Sequence, residues 1–195
     1  VLEMSLNADR DVITTGGSFD SGGTLDLTAG LVDEDGNVNQ VGNMQLSGTT
    51  FDSEHEMRIA ATGDIHGEGA SFATERTFAM SAASMQGVDA ADPTGLRNTI
   101  ISATGDVTIA ATSGSSHMYG PNSIVETEGA LTQTATDSLT LEGERVETEG
   151  DLLFFAETGS ILLNATEMHG NTVLTAIAGD GLSLIHISEP TRRTI

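Results

Sequence analysis

Short runs in which apolar and polar residues alternate recur along the chain, among them Met4-Ser5-Leu6, Leu25-Asp26-Leu27, Met44-Gln45-Leu46, Met57-Arg58-Ile59 and Phe78-Ala79-Met80. Successive side chains of a strand point to opposite faces, so each run predicts a strand with its apolar set turned toward a core. Related small turns follow them: Ala8-Asp9-Arg10-Asp11, Ala61-Thr62-Gly63-Asp64, Ala103-Thr104-Gly105-Asp106, Ala135-Thr136-Asp137-Ser138 and Glu157-Thr158-Gly159-Ser160. Each turn leads into a second β-type run. Taking the first apolar residue of that run as a marker gives Val12, Leu31, Phe51, Ile65, Met85, Val107, Leu139 and Ile161, with most steps between 19 and 22 residues.

The same period is written more plainly by Val125-Glu126-Thr127-Glu128-Gly129, which returns unchanged as Val146-Glu147-Thr148-Glu149-Gly150 after 21 residues. Gly129, Gly150 and Gly170 then stand as successive corners, with the glutamates forming an outward acidic stripe. A coil of about 20 residues cannot bury its own inner face, but coils stacked in register build one continuous core. The sequence therefore predicts an all-β, single-chain parallel β-helix of about nine coils over residues 1–181, a rod on the order of 40 Å long at the strand spacing of a sheet.

The marker spacing breaks at Phe51 to Ile65, which is short, and at Val107 to Leu139, which is long. The long interval contains Ser113-Gly114-Ser115-Ser116-His117-Met118-Tyr119-Gly120-Pro121-Asn122-Ser123, rich in turn-forming residues and holding the single Tyr of the chain. A smaller candidate loop covers residues 89–95, around Pro93. Insertions in repeat proteins map to projecting loops, so His117, Tyr119, Pro121 and Asn122 are candidate partner-binding residues, against the alternative of a tolerated surface insertion.

Composition narrows the partners. The 195 residues carry a net charge of -22 with no Lys, and the few Arg are scattered among carboxylates. Nucleic-acid binding needs Lys and Arg to neutralise phosphates, so nucleic acid is excluded, as is an anionic membrane surface. No apolar run approaches the roughly 18 residues of a membrane span. The acidity fits a highly solvated surface, adaptation to high salt, or attraction of Ca²⁺ or cationic surfaces. The chain has no Cys, which removes disulfides and thiolate metal sites and fits a cytosolic protein or a rigid secreted one.

Asp33, Asp35 and Asn37 crowd oxygen ligands around Gly36, as a Ca²⁺ site requires, although the position two before Asp33 is Leu31 and the EF-hand template fails there. The competing reading is a solvated hairpin turn. Glu54-His55-Glu56, His66 with Glu68, and Glu167 with His169 offer imidazole and carboxylate groups, but none has the spacing of a zinc protease. No G-x-S-x-G elbow is present. No catalytic residues are assigned, and no cofactor other than Ca²⁺ is implied.

Residues 182–192, Leu-Ser-Leu-Ile-His-Ile-Ser-Glu-Pro-Thr-Arg, resemble the conceptual translation of an adapter used to make sequencing libraries, and 182–195 is set apart from the repeat array on that ground. The rest then reads as a stretch of a longer protein. Its units Ala103-Thr104-Gly105-Asp106-Val107-Thr108-Ile109-Ala110-Ala111 and Ala61-Thr62-Gly63-Asp64-Ile65 resemble repeats of filamentous-haemagglutinin-like surface proteins exported by two-partner secretion. That resemblance implies a right-handed β-helix on a bacterial surface, outside the cell. The expected role is a non-enzymatic shaft contacting a host or neighbouring-cell glycan or protein, with the rod monomeric. Two alternatives use the same fold: a trimeric phage-tail or type VI secretion spike, and a polysaccharide lyase or hydrolase with Arg58 or Arg97 as its base.

Overall fold

In the computed structural model, residues 3–85, 95–143, 145–170 and 174–188 are described, with backbone alone at 165–167, 170, 174 and 181–188. The alternating runs wind into a parallel β-helix, and no helix occurs among the described residues. Every coil turns through three faces. Face one stacks Met4–Ala8, Leu25–Ala29, Met57–Ala61, Phe78–Ala82, Val107–Ala111, Leu131–Ala135, Leu152–Ala156 and Leu174–Ala178 in parallel, in that order. Face two begins at Val12–Thr15 and face three at Ser18–Ser21. Both run to the long strand Ser160–Gly170, which spans the two faces and joins their ladders into one sheet, and Gly181–Ser188 pairs over it.

The eight strands of face one mark eight coils among the described residues, one fewer than the period alone implies. The basic step is 21 residues, as in Met4 opposite Leu25, Met57 near Phe78 and Leu131 opposite Leu152. Two coils stand out as much longer. Leu25 stands opposite Met57, 32 residues on, because an antiparallel hairpin of Leu31–Val32 and Val38–Gln40 leaves the coil between faces one and two. Phe78 stands opposite Val107, 29 residues on, and that coil holds residues 86–94, so the candidate loop around Pro93 lies outside the described residues apart from Gly95.

Period-two alternation sets the interior. Leu25, Leu27 and Ala29 are buried on one strand, and Met57, Ile59 and Ala61 lie over them on the next. On face three, Phe19, Phe51 and Phe72 fall in one inward column, and their rings stack at 5.2 and 5.1 Å between centroids. Identical side chains recur in register because the chain repeats in register, and offset aromatic stacking adds to their burial. Outside, face one from Phe78–Ala82 to Leu174–Ala178 presents only Ala, Ser, Thr, Leu, Phe and Ile, as in Ala79, Ser81, Thr108, Ala110, Leu153 and Phe155. The carboxylates are placed at corners and on the other two faces, and on face one only at Asp26 among the described strands.

The duplicated pentapeptide is now a corner device. Val125 and Val146 are buried in register, and Glu126 stands opposite Glu147 on the outside. Thr148 turns inward again, and its hydroxyl donates to the Gly129 carbonyl one coil away at 2.6 Å. Thr127 repeats the contact with the Gly105 carbonyl, as Ser53 does with Gly23 at 2.7 Å. Buried backbone carbonyls need such partners wherever the ladder turns a corner.

Backbone pairing continues into Gly181–Ser188, with Leu182 and Leu184 opposite Ile161 and Leu163. The adapter-like segment thus shares the alternation of a strand up to Ser188, and an open parallel edge pairs with a segment patterned in that way. Among the described residues, no helix is long and apolar enough to cross a membrane.

Candidate functional site on the second face

Outward positions on face two line up across the coils as Ser47, Glu68, Arg97, Tyr119, Glu142 and Asn164. Strand pairing brings these residues together from steps of 21 to 29 in sequence. The Arg97 guanidinium meets Glu68 at 3.4 Å on one side, and its central carbon lies 5.9 Å from the centre of the Tyr119 ring on the other. Asn164 donates to Glu142 Oε1 at 3.3 Å. His117, two residues before Tyr119 and so on the same outer face, stacks on it with ring centres 4.7 Å apart. The result is a strip in which a cation, two partly exposed rings and two carboxylates alternate along the rod.

This arrangement corrects the expected projecting loop over residues 113–123. Ser116–Tyr119 is a strand of the coil, with Ser116 and Met118 buried and His117 and Tyr119 outward. The long marker interval had a different source: Val107 belongs to face one and Leu139 to face two. Pro121 and Asn122 are the exposed tip of the corner that follows, closed by the Ser123 N–H donating to the Gly120 carbonyl at 3.0 Å and the Ser123 hydroxyl to the Tyr119 carbonyl at 2.6 Å. The four candidate residues thus remain contiguous, two on a flat strand face and two on its corner. Arg97 and Glu68 were not among them, because their approach depends on coil register.

Two buried polar atoms without hydrogen-bond partners flank the strip, Nε2 of His117 and Oδ1 of Asn98. Asn98 has φ of 49°, a left-handed conformation that Asn tolerates better than most residues, and its N–H donates to the Tyr119 carbonyl at 3.0 Å. Its Oδ1 fits beside Gly120, where a β-carbon would stand only 2.5 Å away. Burial pushes the His117 imidazole below its ordinary pKa, against the opposing pull of Glu142, so the ring is neutral at pH 7. A third atom of this kind, Nδ1 of His55, lies at a different corner.

The candidate Ca²⁺ residues occupy the turn of the hairpin. Asp33 Oδ1 accepts the N–H of Asp35 at 3.0 Å and of Asn37 at 2.8 Å, and its Oδ2 accepts Asn37 Nδ2 at 3.1 Å. These bonds, the Asn37 side chain first, hold the exposed Asp33 carboxyl below the usual carboxylate range. Its oxygens are committed to the turn, as a solvated hairpin requires. Among the described residues, no group of three His, Asp or Glu gathers around a common point. Glu56 pairs with Arg58 at 2.6 Å and Glu68 with Arg97, while the Glu167 side chain lies outside the described residues. Of the two alternative bases, Arg58 is on face one and Arg97 on face two, each in an exposed ion pair with a glutamate.

No family model matches this chain, and neither a curated protein nor a solved structure matches it.

Proposed function

We propose that this chain is a non-enzymatic shaft of a secreted or cell-surface bacterial protein, contacting a partner on a host or neighbouring cell through the strip on its second face. The observation that carries this reading is the uninterrupted ladder: eight coils of one chain fill a single interior and need no second chain to close it. Stacked parallel strands give reach and stiffness, and a strongly acidic exterior keeps such a rod soluble. The strip places rings, a guanidinium and carboxylates on a flat surface, which suits contact with a glycan or protein more than covalent chemistry.

Sedimentation and small-angle scattering of the purified chain test the shaft, with a monomeric elongated particle expected; a trimer would overturn it in favour of a spike. Retention on immobilised cells, reduced by Tyr119→Ala, tests the adhesive role. Turnover of a glycan by the purified chain would overturn the non-enzymatic reading.

A further inference from the structure

We propose that the strip formed by Arg97, His117 and Tyr119 binds a neutral saccharide, whose ring stacks on the aromatic pair while its hydroxyls engage the flanking polar groups. This rests on the adhesive reading and gives its site a ligand class.

The first support is where the rings lie. Phe51, Phe72, Phe78 and Phe154 are fully buried and Phe155 stands singly on the outside of face one, whereas His117 and Tyr119 point outward as a stacked pair that leaves both partly exposed. Aromatic faces on a flat sheet offer the C–H-rich face of a pyranose a broad apolar contact. The second support is the polar rim of the strip. The exposed Arg97–Glu68 pair adds donors and acceptors next to the rings, with Glu142 beyond.

Charge decides between ligand classes. Glu68 and Glu142 bracket the strip within a chain of net charge -22, which disfavours a uronic-acid polymer or a sulfated glycan. A cationic peptide meets Arg97 already paired with Glu68, whereas Asp20 and Asp52 stand opposite each other, both exposed, on face three. A neutral sugar carries no charge for the carboxylates or Arg97 to oppose.

The chain has one Tyr and no Trp, so its intrinsic emission reports on Tyr119 alone. Titration of the whole chain with cellohexaose, maltohexaose and laminarihexaose should change that emission saturably for at least one of them, and polygalacturonate should not. By calorimetry, Tyr119→Ala and Arg97→Ala should each weaken the binding tenfold or more, with Tyr119→Phe close to the parent and melting temperatures of all three unchanged. Failure of all three hexasaccharides, equal binding by Tyr119→Ala and Arg97→Ala, or preference for polygalacturonate would overturn the proposal. Cell retention measured in parallel separates the two readings. Retention without hexasaccharide binding removes the saccharide and leaves the adhesive shaft, and absence of both removes each.

Discussion

Gly150 donates its backbone N–H to the Gly129 carbonyl at 3.0 Å, and a β-carbon at Gly150 would stand 2.7 Å from that carbonyl's carbon and oxygen. Two corners of successive coils touch there through backbone alone. Gly129 makes the same approach to the coil before it, where its β-carbon would fall 2.7 Å from the Asp106 nitrogen. The duplicated pentapeptide therefore ends in Gly for lack of space, since the obstacle is backbone that cannot rotate away.

Gly150→Ala should accordingly destabilise the rod by about 1–3 kcal/mol, the range of an overpacked core site. Gly143→Ala is the contrasting case, because its positive φ of 69° is unfavourable to Ala while its surroundings are open, with the nearest atom at 3.8 Å. Its cost should be smaller, about 1 kcal/mol. Denaturant melts of both variants check the order, and a larger loss at Gly143 would refute the steric account.

The hairpin over residues 31–41 should be dispensable. A β-carbon on Gly42 would lie 2.2 Å from the Gly30 nitrogen, so the chain leaves and re-enters the coil at one place. Joining Gly30 to Gly42 would give Ala29-Gly30-Gly42-Asn43-Met44, aligned with Ala61-Thr62-Gly63-Asp64-Ile65 of the next coil, where Ala29 already stands opposite Ala61 and Met44 opposite Ile65. The excised coil would take the 21-residue step. We expect stability within about 1 kcal/mol of the parent, since closing a shorter loop costs little. Cooperative melting with unchanged circular dichroism is the check, and a collapse of the β signal would show that the hairpin supports the stack.

Strands were legible in the sequence because alternation depends only on neighbours, and Met57-Arg58-Ile59 and Phe78-Ala79-Met80 lie where their pattern places them. Face assignment was not. Ala-Thr-Gly-Asp serves two different corners: residues 61–64 turn from face one to face two, and residues 103–106 from face three to face one. A marker defined by that turn jumps between faces: Phe51 lies in register with Phe72 on face three, and Ile65 with Met44 on face two. The strip was half legible for the same reason. His117 and Tyr119 are near neighbours in the chain, whereas Glu68 and Arg97 reach Tyr119 only through coils of unequal length.

Among the described residues, polar side chains stand at several interior positions, and Gln133 with Ser116 is one such pair. Gln133 lies in the column between Ile109 and Phe154, fully buried, and donates from Nε2 to the Ser116 hydroxyl at 2.9 Å. Removing one partner strands the other. Ser116→Ala should cost about 1–3 kcal/mol, whereas Ser116→Ala with Gln133→Leu should recover most of that loss, because both polar groups are gone and Leu continues the apolar column. A double-mutant cycle on denaturant midpoints measures the coupling, and additive losses would rule out the pair as a unit.

Asp64 and His117 should give stability contributions of opposite sign as pH falls. Desolvation raises the Asp64 carboxyl above its ordinary 3.8, so the folded state takes up its proton first and gains stability as pH drops through the raised value toward 3.8. Its backbone N–H donates to Asn43 Oδ1 at 2.9 Å, a contact that Asp64→Asn retains. That variant should be more stable at pH 7 by on the order of 0.5 kcal/mol, the scale of a solvent-screened surface charge, and its advantage should shrink on acidification. For His117 the folded pKa lies below the ordinary 6.5, chiefly through burial. The unfolded chain then binds the proton first, so stability is complete above about 6.5 and declines as pH falls from there through the lowered value. His117→Gln should therefore gain on the parent below pH 6.5 and hold a constant difference above it. Melting curves of both variants against the parent from pH 8 to 4 read these differences free of the acidic background they share; parallel pH profiles for the two variants would refute both assignments.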